Sequence, residues 1–115
     1  MQYLDDILES IELVEMYTRQ LSKKKFLASR QAQDSVLRRI EIIGEAVKNI
    51  PPNVRKAYPE IPWQKIAGMR DVVIHEYFRV DLELTWAVVK KGLPRLKREL
   101  RRIQKEIAKT EKGTK

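Results

Sequence analysis

The sequence predicts an all-α fold, a bundle of four or five helices with a kink in the last one. Apolar residues recur at steps of three and four in several long stretches, which is the period of a helix with one buried face. No stretch shows the alternating pattern of a half-buried strand. Four prolines at positions 51, 52, 59 and 62 divide the long stretches into separate helices. The chain of 115 residues has the length of one domain.

The N-terminal half predicts two long helices. The first covers residues 2–20, with an apolar stripe from Leu4 to Val14 and an acidic opposite face. A polar connection follows at 22–25, and the second helix covers residues 29–49. Gly44 lies inside this second helix, where glycine costs about 1 kcal/mol relative to alanine. We therefore expect another helix to approach closely at Gly44.

The middle of the chain predicts shorter elements. Pro51 and Pro52 end the second helix, and a short helical turn covers residues 53–58. Pro62 suits the first position of a third long helix, because that position needs no amide hydrogen. This helix is expected to run through Tyr77, with Gly68 as a weak point.

The last helix shows the clearest pattern in the chain. Asp81 is its expected N-cap. Its apolar residues then step regularly by four and three, at Leu82, Trp86, Val89, Leu93, Leu96, Leu100, Ile103 and Ile107. Pro94 is expected to kink or interrupt this helix. Residues 1–109 are predicted to form a single domain, and residues 110–115 a disordered basic tail.

The composition excludes several kinds of site. Cysteine is absent, so the chain has no disulfide, no thiolate nucleophile and no cysteine-bound zinc. With one histidine, a multi-histidine metal site within one chain is also excluded. We therefore predict no metal and no cofactor.

Met1 is followed directly by an acidic amphipathic pattern, and no apolar run approaches the ~20 residues that span a bilayer. The expectation is a cytoplasmic protein without membrane contact.

The net charge of +8 belongs to the C-terminal quarter of the chain. Residues 90–115 contain 11 Lys and Arg against 3 Glu, whereas residues 1–89 are neutral. Such a stretch can bind a polyanion by counterion release, and Arg98, Arg101 and Arg102 are candidate RNA contacts. The alternative is a solvated helix face in a protein rich in charge.

One segment, residues 70–77, could carry chemistry. His75 is the only side chain whose ordinary pKa, about 6.5, suits proton transfer at neutral pH. On a continuous helix Arg70 and His75 would point some 140° apart, whereas Tyr77 would share the face of Arg70 to within about 20°. Asp71 would lie one turn before His75 and could orient the imidazole. The spacing alone also fits a half-buried histidine, a packed tyrosine and a surface arginine.

The same segment carries a resemblance to a known family. Arg70 and Asp71, followed by His75 after three more residues and by Tyr77, resemble the motif of the HepT-like family of HEPN ribonucleases, a family also known as DUF86. Residues 37–46 (LRRIEIIGEA) are similar to its second helix, residues 59–63 (PEIPW) and 68–70 to the lead-in to its active segment, and Leu93–Pro94 to its last helix. The resemblance covers roughly residues 3–105. Asp71 departs from it, since many relatives have asparagine there.

The resemblance implies a HEPN-type bundle and a specific function. It implies a ribonuclease toxin of a type VII toxin–antitoxin pair, which cleaves RNA but not DNA without a metal and leaves a 2′,3′-cyclic phosphate. Arg70 and His75 would be catalytic, and Asp71 would support them. Two protomers would share one cleft. The partner would be an MNT-type nucleotidyltransferase antitoxin that attaches AMP to Tyr77.

Two other interpretations stay open at this point. The domain could be a non-catalytic HEPN module that binds a nucleotide or a transferase, with Arg70 and His75 holding phosphate without cutting. It could also be a purely structural helical dimer, against which the basic C-terminal stretch weighs slightly.

Overall fold

The chain folds as a helical bundle, seen in a computed structural model that describes residues 2–75 and 79–113 and leaves the side chains of Val72, Ile74, His75, Arg79 and residues 110–113 undescribed. The elements in chain order are α1 (Gln2–Thr18), α2 (Lys23–Ala28), α3 (Arg30–Lys48), α4 (Pro52–Ala57), α5 (Trp63–Ala67), α6 (Met69–Val73), β1 (Ile74–His75), β2 (Arg79–Val80), α7 (Leu82–Ala87), a π-helical turn (Val88–Gly92) and α8 (Leu93–Gly113).

The all-α prediction is confirmed. The long helices α1, α3 and α8 bury their predicted stripes in one core, to which the short helices add further apolar side chains. Twelve large side chains are almost completely buried there: Phe26, Leu4, Ile7, Ile11, Ile40, Ile43, Leu93, Leu100, Ile103, Val14, Val36 and Val47. At the coarse level, hydrophobic periodicity was therefore a sufficient guide to the fold.

The polar connection predicted at residues 22–25 is a short helix instead. The Ser22 hydroxyl accepts a hydrogen bond from the Lys25 amide at 3.1 Å, which is an N-cap contact. The Phe26 ring is buried in the core and contacts Trp86 of α7, with ring centroids 5.1 Å apart. The three lysines before Phe26 hid this helix, because a single apolar anchor gives no periodic signal.

The last helix keeps its predicted start and its interruption. The Asp81 carboxylate accepts the Leu84 amide at 2.9 Å and so caps α7. The interruption is a π-helical turn just before Pro94, in which the Leu93 amide donates to the Val88 carbonyl five residues earlier. Pro94 has no amide hydrogen and its ring crowds the carbonyl four residues back, so a widened turn accommodates it. α8 then continues through Gly113, into the segment predicted as a tail; the domain boundary at 109 stays a prediction.

The prediction of one helix from Pro62 through Tyr77 is wrong in its second half. It breaks at Gly68, as expected for a weak point, and ends at Val73. Ile74 and His75 pair instead as a short antiparallel ladder with Arg79 and Val80. The Asp81 amide donates to the Val73 carbonyl at 2.6 Å, so the chain returns beside the end of α6 before α7 begins. This two-residue ladder leaves the fold class unchanged.

No helix among the residues that the structure describes is both long enough and apolar enough to cross a membrane.

Candidate active site

Arg70 is held at the surface by the packing of α5 and α6 against α3. A β-carbon on Gly44 would lie 3.0 Å from the backbone carbonyl oxygen of Ala67, so the two helices are in backbone contact there. This confirms the close approach expected at Gly44. Arg70 lies three residues beyond Ala67, in the first turn of α6. The contact with α3 therefore fixes the backbone position of Arg70.

The guanidinium of Arg70 lies between two carboxylates without a tight bond to either. Its Nε atom is 3.6 Å from Glu41 Oε1, and an Nη atom is 3.7 Å from Asp71 Oδ1. The Arg70 side chain is 53% exposed. Both contacts are longer than a charge-assisted hydrogen bond of about 2.8 Å. The guanidinium can therefore exchange these contacts for a bidentate phosphate contact.

Arg70 lies at an open groove of about 730 Å³ between α1, α3 and the α5–α6 segment. The groove is lined by four cations and five carboxylates, besides apolar and neutral groups. The cations are Arg38, Arg39, Lys48 and Arg70, and the carboxylates are Asp6, Glu9, Glu41, Glu45 and Asp71. Because the charges nearly cancel, the groove as a whole does not attract a polyanion, and Arg70 is a local phosphate contact within it.

The structure places the backbone of His75 in a different geometry from the one predicted. α6 ends at Val73, so the angles expected from a continuous helix do not apply to His75. The backbone of His75 lies in β1 and pairs with Arg79. The imidazole of His75 and the whole of Tyr77 lie outside the described part of the chain.

Asp71 is next to Arg70 and strongly exposed, with 82% of its side chain accessible. Its described contact is Arg70, and the one-turn helical spacing to His75 on which its supporting role depended is interrupted.

The three candidate RNA-binding arginines of α8 differ in their surroundings. Arg102 contacts Glu60, Glu99 and Glu106 at 2.7, 3.0 and 3.1 Å, and Arg101 contacts Glu12 of α1 at 3.3 Å. Arg98 is exposed and forms no ion pair with any residue that the structure describes. Three cations of α8, Lys97, Arg101 and Arg102, are thus paired with acids from α1 and from the α4–α5 connection.

Within residues 2–75 and 79–113, no group of three or more Asp, Glu or His side chains is arranged to hold a metal ion.

Sequence reasoning missed Glu41 as the tertiary partner of Arg70. The two residues are separated by 29 positions, and no local pattern links them. The one available signal was Gly44, one turn after Glu41, which marked the place where α3 is approached by another helix.

Comparison with known proteins decides the family. The profile of the family described as Ribonuclease HepT-like matches residues 7–103, which include Arg70, Asp71, His75 and Tyr77. This chain belongs to the HepT-like ribonuclease family. It is 47% identical, over 90% of its length and 94% of the relative's, to a protein of Thermococcus cleftensis named probable ribonuclease HepT. No solved structure matches the chain.

Two further relatives show that this HepT-like domain occurs in proteins of different lengths. A protein of Methanocaldococcus jannaschii, named gamma-glutamylcyclotransferase and putative RNase, is 54% identical over 93% of the chain. The chain spans only 48% of the length of that relative. A protein of Caldanaerobacter subterraneus named putative RNase is 39% identical, over 90% of the chain and 94% of the relative. The HepT-like domain thus occurs both in proteins of about its own length and in a longer one.

Proposed function

We propose that this HepT-like chain is an endoribonuclease in which Arg70 and His75 do the chemistry. The observation that carries the proposal is the state of Arg70, a half-exposed guanidinium at an open groove with only long contacts to carboxylates. Arg70 also lies five residues before the only histidine of the chain. The chain belongs to a family named for ribonuclease activity, which supports the same conclusion.

The proposed reaction is metal-independent transesterification of RNA. One His75 removes the proton from a ribose 2′-hydroxyl, and the 2′-oxygen attacks the adjacent phosphorus. The P–O5′ bond breaks, and the 5′-oxygen receives a proton from a second histidine, His75 of the partner subunit. Arg70 stabilises the negative charge that builds on the non-bridging oxygens. The products are a 2′,3′-cyclic phosphate and a 5′-hydroxyl, and DNA is inert because it lacks the nucleophile.

The decisive experiment is cleavage of a 5′-labelled RNA in excess EDTA by the wild type and by Arg70→Ala and His75→Ala. Arg30→Ala is the matched control, because Arg30 is 87% exposed and its ion-pair partner is Asp34, one turn along the same helix. We expect the control to cut like the wild type and both site variants to lose at least about a hundredfold in rate. Undiminished cutting by both site variants would refute the assignment.

A substrate with one ribose in a DNA strand tests the chemistry directly. Cleavage should occur only after the ribonucleotide, and the product should carry the cyclic phosphate, detected by its mass. Binding of RNA without any cleavage, in EDTA or with added Mg²⁺, would favour the non-catalytic HEPN module instead.

We also propose that the active unit is a homodimer. The proposal rests on the family resemblance and on the need for one general base and one general acid where the chain has a single histidine. One chain has a mass of 13.6 kDa, and sedimentation equilibrium should give twice that mass. A monomer that remains fully active at nanomolar concentration would contradict it.

Regulation by AMP transfer to Tyr77 is the last part of the proposal. An MNT-type nucleotidyltransferase antitoxin would transfer AMP from ATP to the Tyr77 hydroxyl and release pyrophosphate. The bulk and negative charge of the AMP group, close to Arg70 and His75 in the chain, would repel RNA phosphate. Co-expression with such a transferase should add whole AMP units to the mass of the chain. Tyr77→Phe should abolish the shift, whereas Tyr17→Phe in α1 should not. An unchanged shift in Tyr77→Phe would remove this part alone.

A further inference from the structure

A second basic surface lies at the end of the bundle where α1, α2 and the π-helical turn meet. Two stretches of the sequence contain cations and no acids. Residues 16–33 contain five Lys and Arg, and residues 84–98 contain another five. These stretches are separated by 50 residues in the chain.

The fold brings the two stretches together. The Phe26 ring of α2 packs against the Trp86 ring of α7 at 5.1 Å, and Lys23 pairs with Glu83 at 2.5 Å. Lys90 of the π-helical turn lies over the same Trp86 ring, 4.7 Å from its centroid. The contact between Phe26 and Trp86 therefore brings α2, which carries Lys24 and Lys25, close to the π-helical turn, which carries Lys90 and Lys91.

The end of α1 joins the same surface. Lys97 of α8 bonds to Glu15 of α1 at 2.6 Å, and Arg101 bonds to Glu12 at 3.3 Å, so α1 and α8 run antiparallel. In an antiparallel pair, the turn before Lys97 in α8 lies opposite the turn after Glu15 in α1, where Thr18 ends α1 and Arg19 follows. We use the name basic end for the set of residues Arg19, Lys24, Lys25, Lys90 and Lys91.

The five side chains of the basic end are all exposed, and none forms an ion pair with a residue that the structure describes. Glu15 of α1 and Glu83 of α7 are each paired with another lysine, Lys97 and Lys23 respectively. In the groove at Arg70, by contrast, five carboxylates outnumber four cations. The strongest uncompensated charge among these surfaces is therefore at the basic end and not in the groove.

We propose that the basic end is the docking surface for the sugar–phosphate backbone of the RNA substrate, flanking the segment that cuts. This inference rests on the proposed ribonuclease function. The Asp81 amide bonds to the Val73 carbonyl, and Lys90 follows nine residues later, which corresponds to roughly 13 Å along a helix. That distance exceeds the Debye length of about 8 Å at physiological salt, so the basic end acts through direct contact with flanking nucleotides.

The chemistry of the surface predicts binding without base specificity. Lysine is a flexible point charge that suits phosphate, whereas reading a base edge needs planar, bidentate groups or stacking rings. The one aromatic ring identified there, Trp86, is partly buried between Phe26 and Lys90. The basic end therefore supplies affinity for any RNA strand long enough to reach it.

The test compares two triple variants of equal charge. Lys24→Gln, Lys25→Gln and Lys91→Gln remove three cations of the basic end. Lys56→Gln, Lys105→Gln and Lys109→Gln remove three exposed lysines elsewhere. Binding is measured with a 20-nucleotide RNA whose 2′-hydroxyls are all methylated, so that it cannot be cut. Removing three phosphate contacts should lower the slope of log affinity against log salt by about 2, at about 0.7 per contact.

We expect this loss for the basic-end triple and an unchanged slope for the control triple. Equal losses in both would show that only net charge matters and would overturn the proposal, as would no loss in either. Binding of the wild type to vesicles with anionic lipids but not to the RNA would overturn it in favour of a membrane surface.

Cleavage kinetics separate this inference from the proposed function. With a long RNA, the basic-end triple should raise KM and leave kcat unchanged, and with a dinucleotide it should cut like the wild type. If the wild type cuts nothing yet the slope falls as expected, the docking surface stands and the ribonuclease proposal fails. If cutting is confirmed and the slope is unchanged, only the docking surface fails.

Discussion

The carbonyl oxygen of Ala67 lies 3.0 Å from the place that a β-carbon on Gly44 would occupy. This contact joins the middle of α3 to the end of α5, immediately before the residues that carry Arg70. A glycine that looks unfavourable within its own helix is therefore what allows the segment before Arg70 to lie against α3. The position of Arg70 depends on a residue 26 positions earlier in the chain.

Gly44→Ala is expected to weaken both folding and cleavage. The added methyl group would press on a backbone atom, which cannot rotate away, so α5 and α6 must shift. Overpacking of this kind costs about 1–3 kcal/mol, against a gain of about 1 kcal/mol in helix propensity. We expect a net loss of roughly 1 kcal/mol in urea unfolding and a several-fold lower rate of RNA cleavage.

Gly92→Ala is the control for that prediction. A β-carbon at Gly92 would meet only a Val88 methyl group at 3.9 Å, which is an ordinary contact. This variant should be as stable as the wild type or slightly more stable, and it should cut RNA normally. If Gly44→Ala behaved in the same way, the backbone contact would not position the site.

Asp71→Asn is expected to keep or raise activity. The Asp71 carboxylate contacts Arg70 at 3.7 Å and is strongly exposed, so it competes with RNA phosphate for the guanidinium. Removing a surface charge of this kind changes binding by up to about 1 kcal/mol, or up to about fivefold in KM. Steady-state kinetics check the result. A loss of a hundredfold in kcat would restore the earlier idea that Asp71 orients His75.

The acid stability of the protein should depend on the pair Arg102–Glu60. A hydrogen bond from its own backbone, and next the Arg102 guanidinium, hold the pKa of the Glu60 carboxyl below its ordinary value of 4.5. A carboxyl with a lowered pKa in the folded state stabilises the fold above the unfolded pKa, and this stabilisation disappears as the pH falls through the folded pKa.

Arg102→Gln should therefore be less stable than the wild type at pH 7, and the difference should shrink below pH 4.5. Thermal unfolding measured between pH 7 and pH 3 checks this. Arg30→Gln, which loses one exposed pair with Asp34, should track the wild type throughout. A gap between Arg102→Gln and wild type that stays constant down to pH 3 would mean that Glu60 is not the group involved.

The contacts of α8 with α1 predict unequal effects for two cations. Lys97 and Glu15 are 2.6 Å apart and only 24% and 36% exposed, whereas Arg101 and Glu12 are both more than half exposed at 3.3 Å. Lys97→Gln should cost about 1 kcal/mol in chemical denaturation, and Arg101→Gln less than about 0.5 kcal/mol. The reverse order would show that burial does not set the strength of these pairs.

The sequence by itself determined the helices that bury a long periodic face, and the residues that could do chemistry. Periodicity predicted α1, α3 and α8, Asp81 was identified as a cap, and the single histidine narrowed the chemistry to residues 70–77. Each of these inferences depends on residues within a few turns of one another, where local geometry and propensity dominate.

Only the tertiary structure decided where α6 ends and where positive charge remains free. Residues 70–77 have helical periodicity, yet the helix ends at Val73, because the chain turns back to bond Asp81 to the Val73 carbonyl. Likewise, three cations of α8 (Lys97, Arg101 and Arg102) are paired with distant acids, while Lys24 and Lys25 of α2 and Lys90 and Lys91 of the π-helical turn, 65 or more residues apart, form the uncompensated surface. Pairing between distant residues depends on how the helices pack, and the local sequence around either residue does not reveal it.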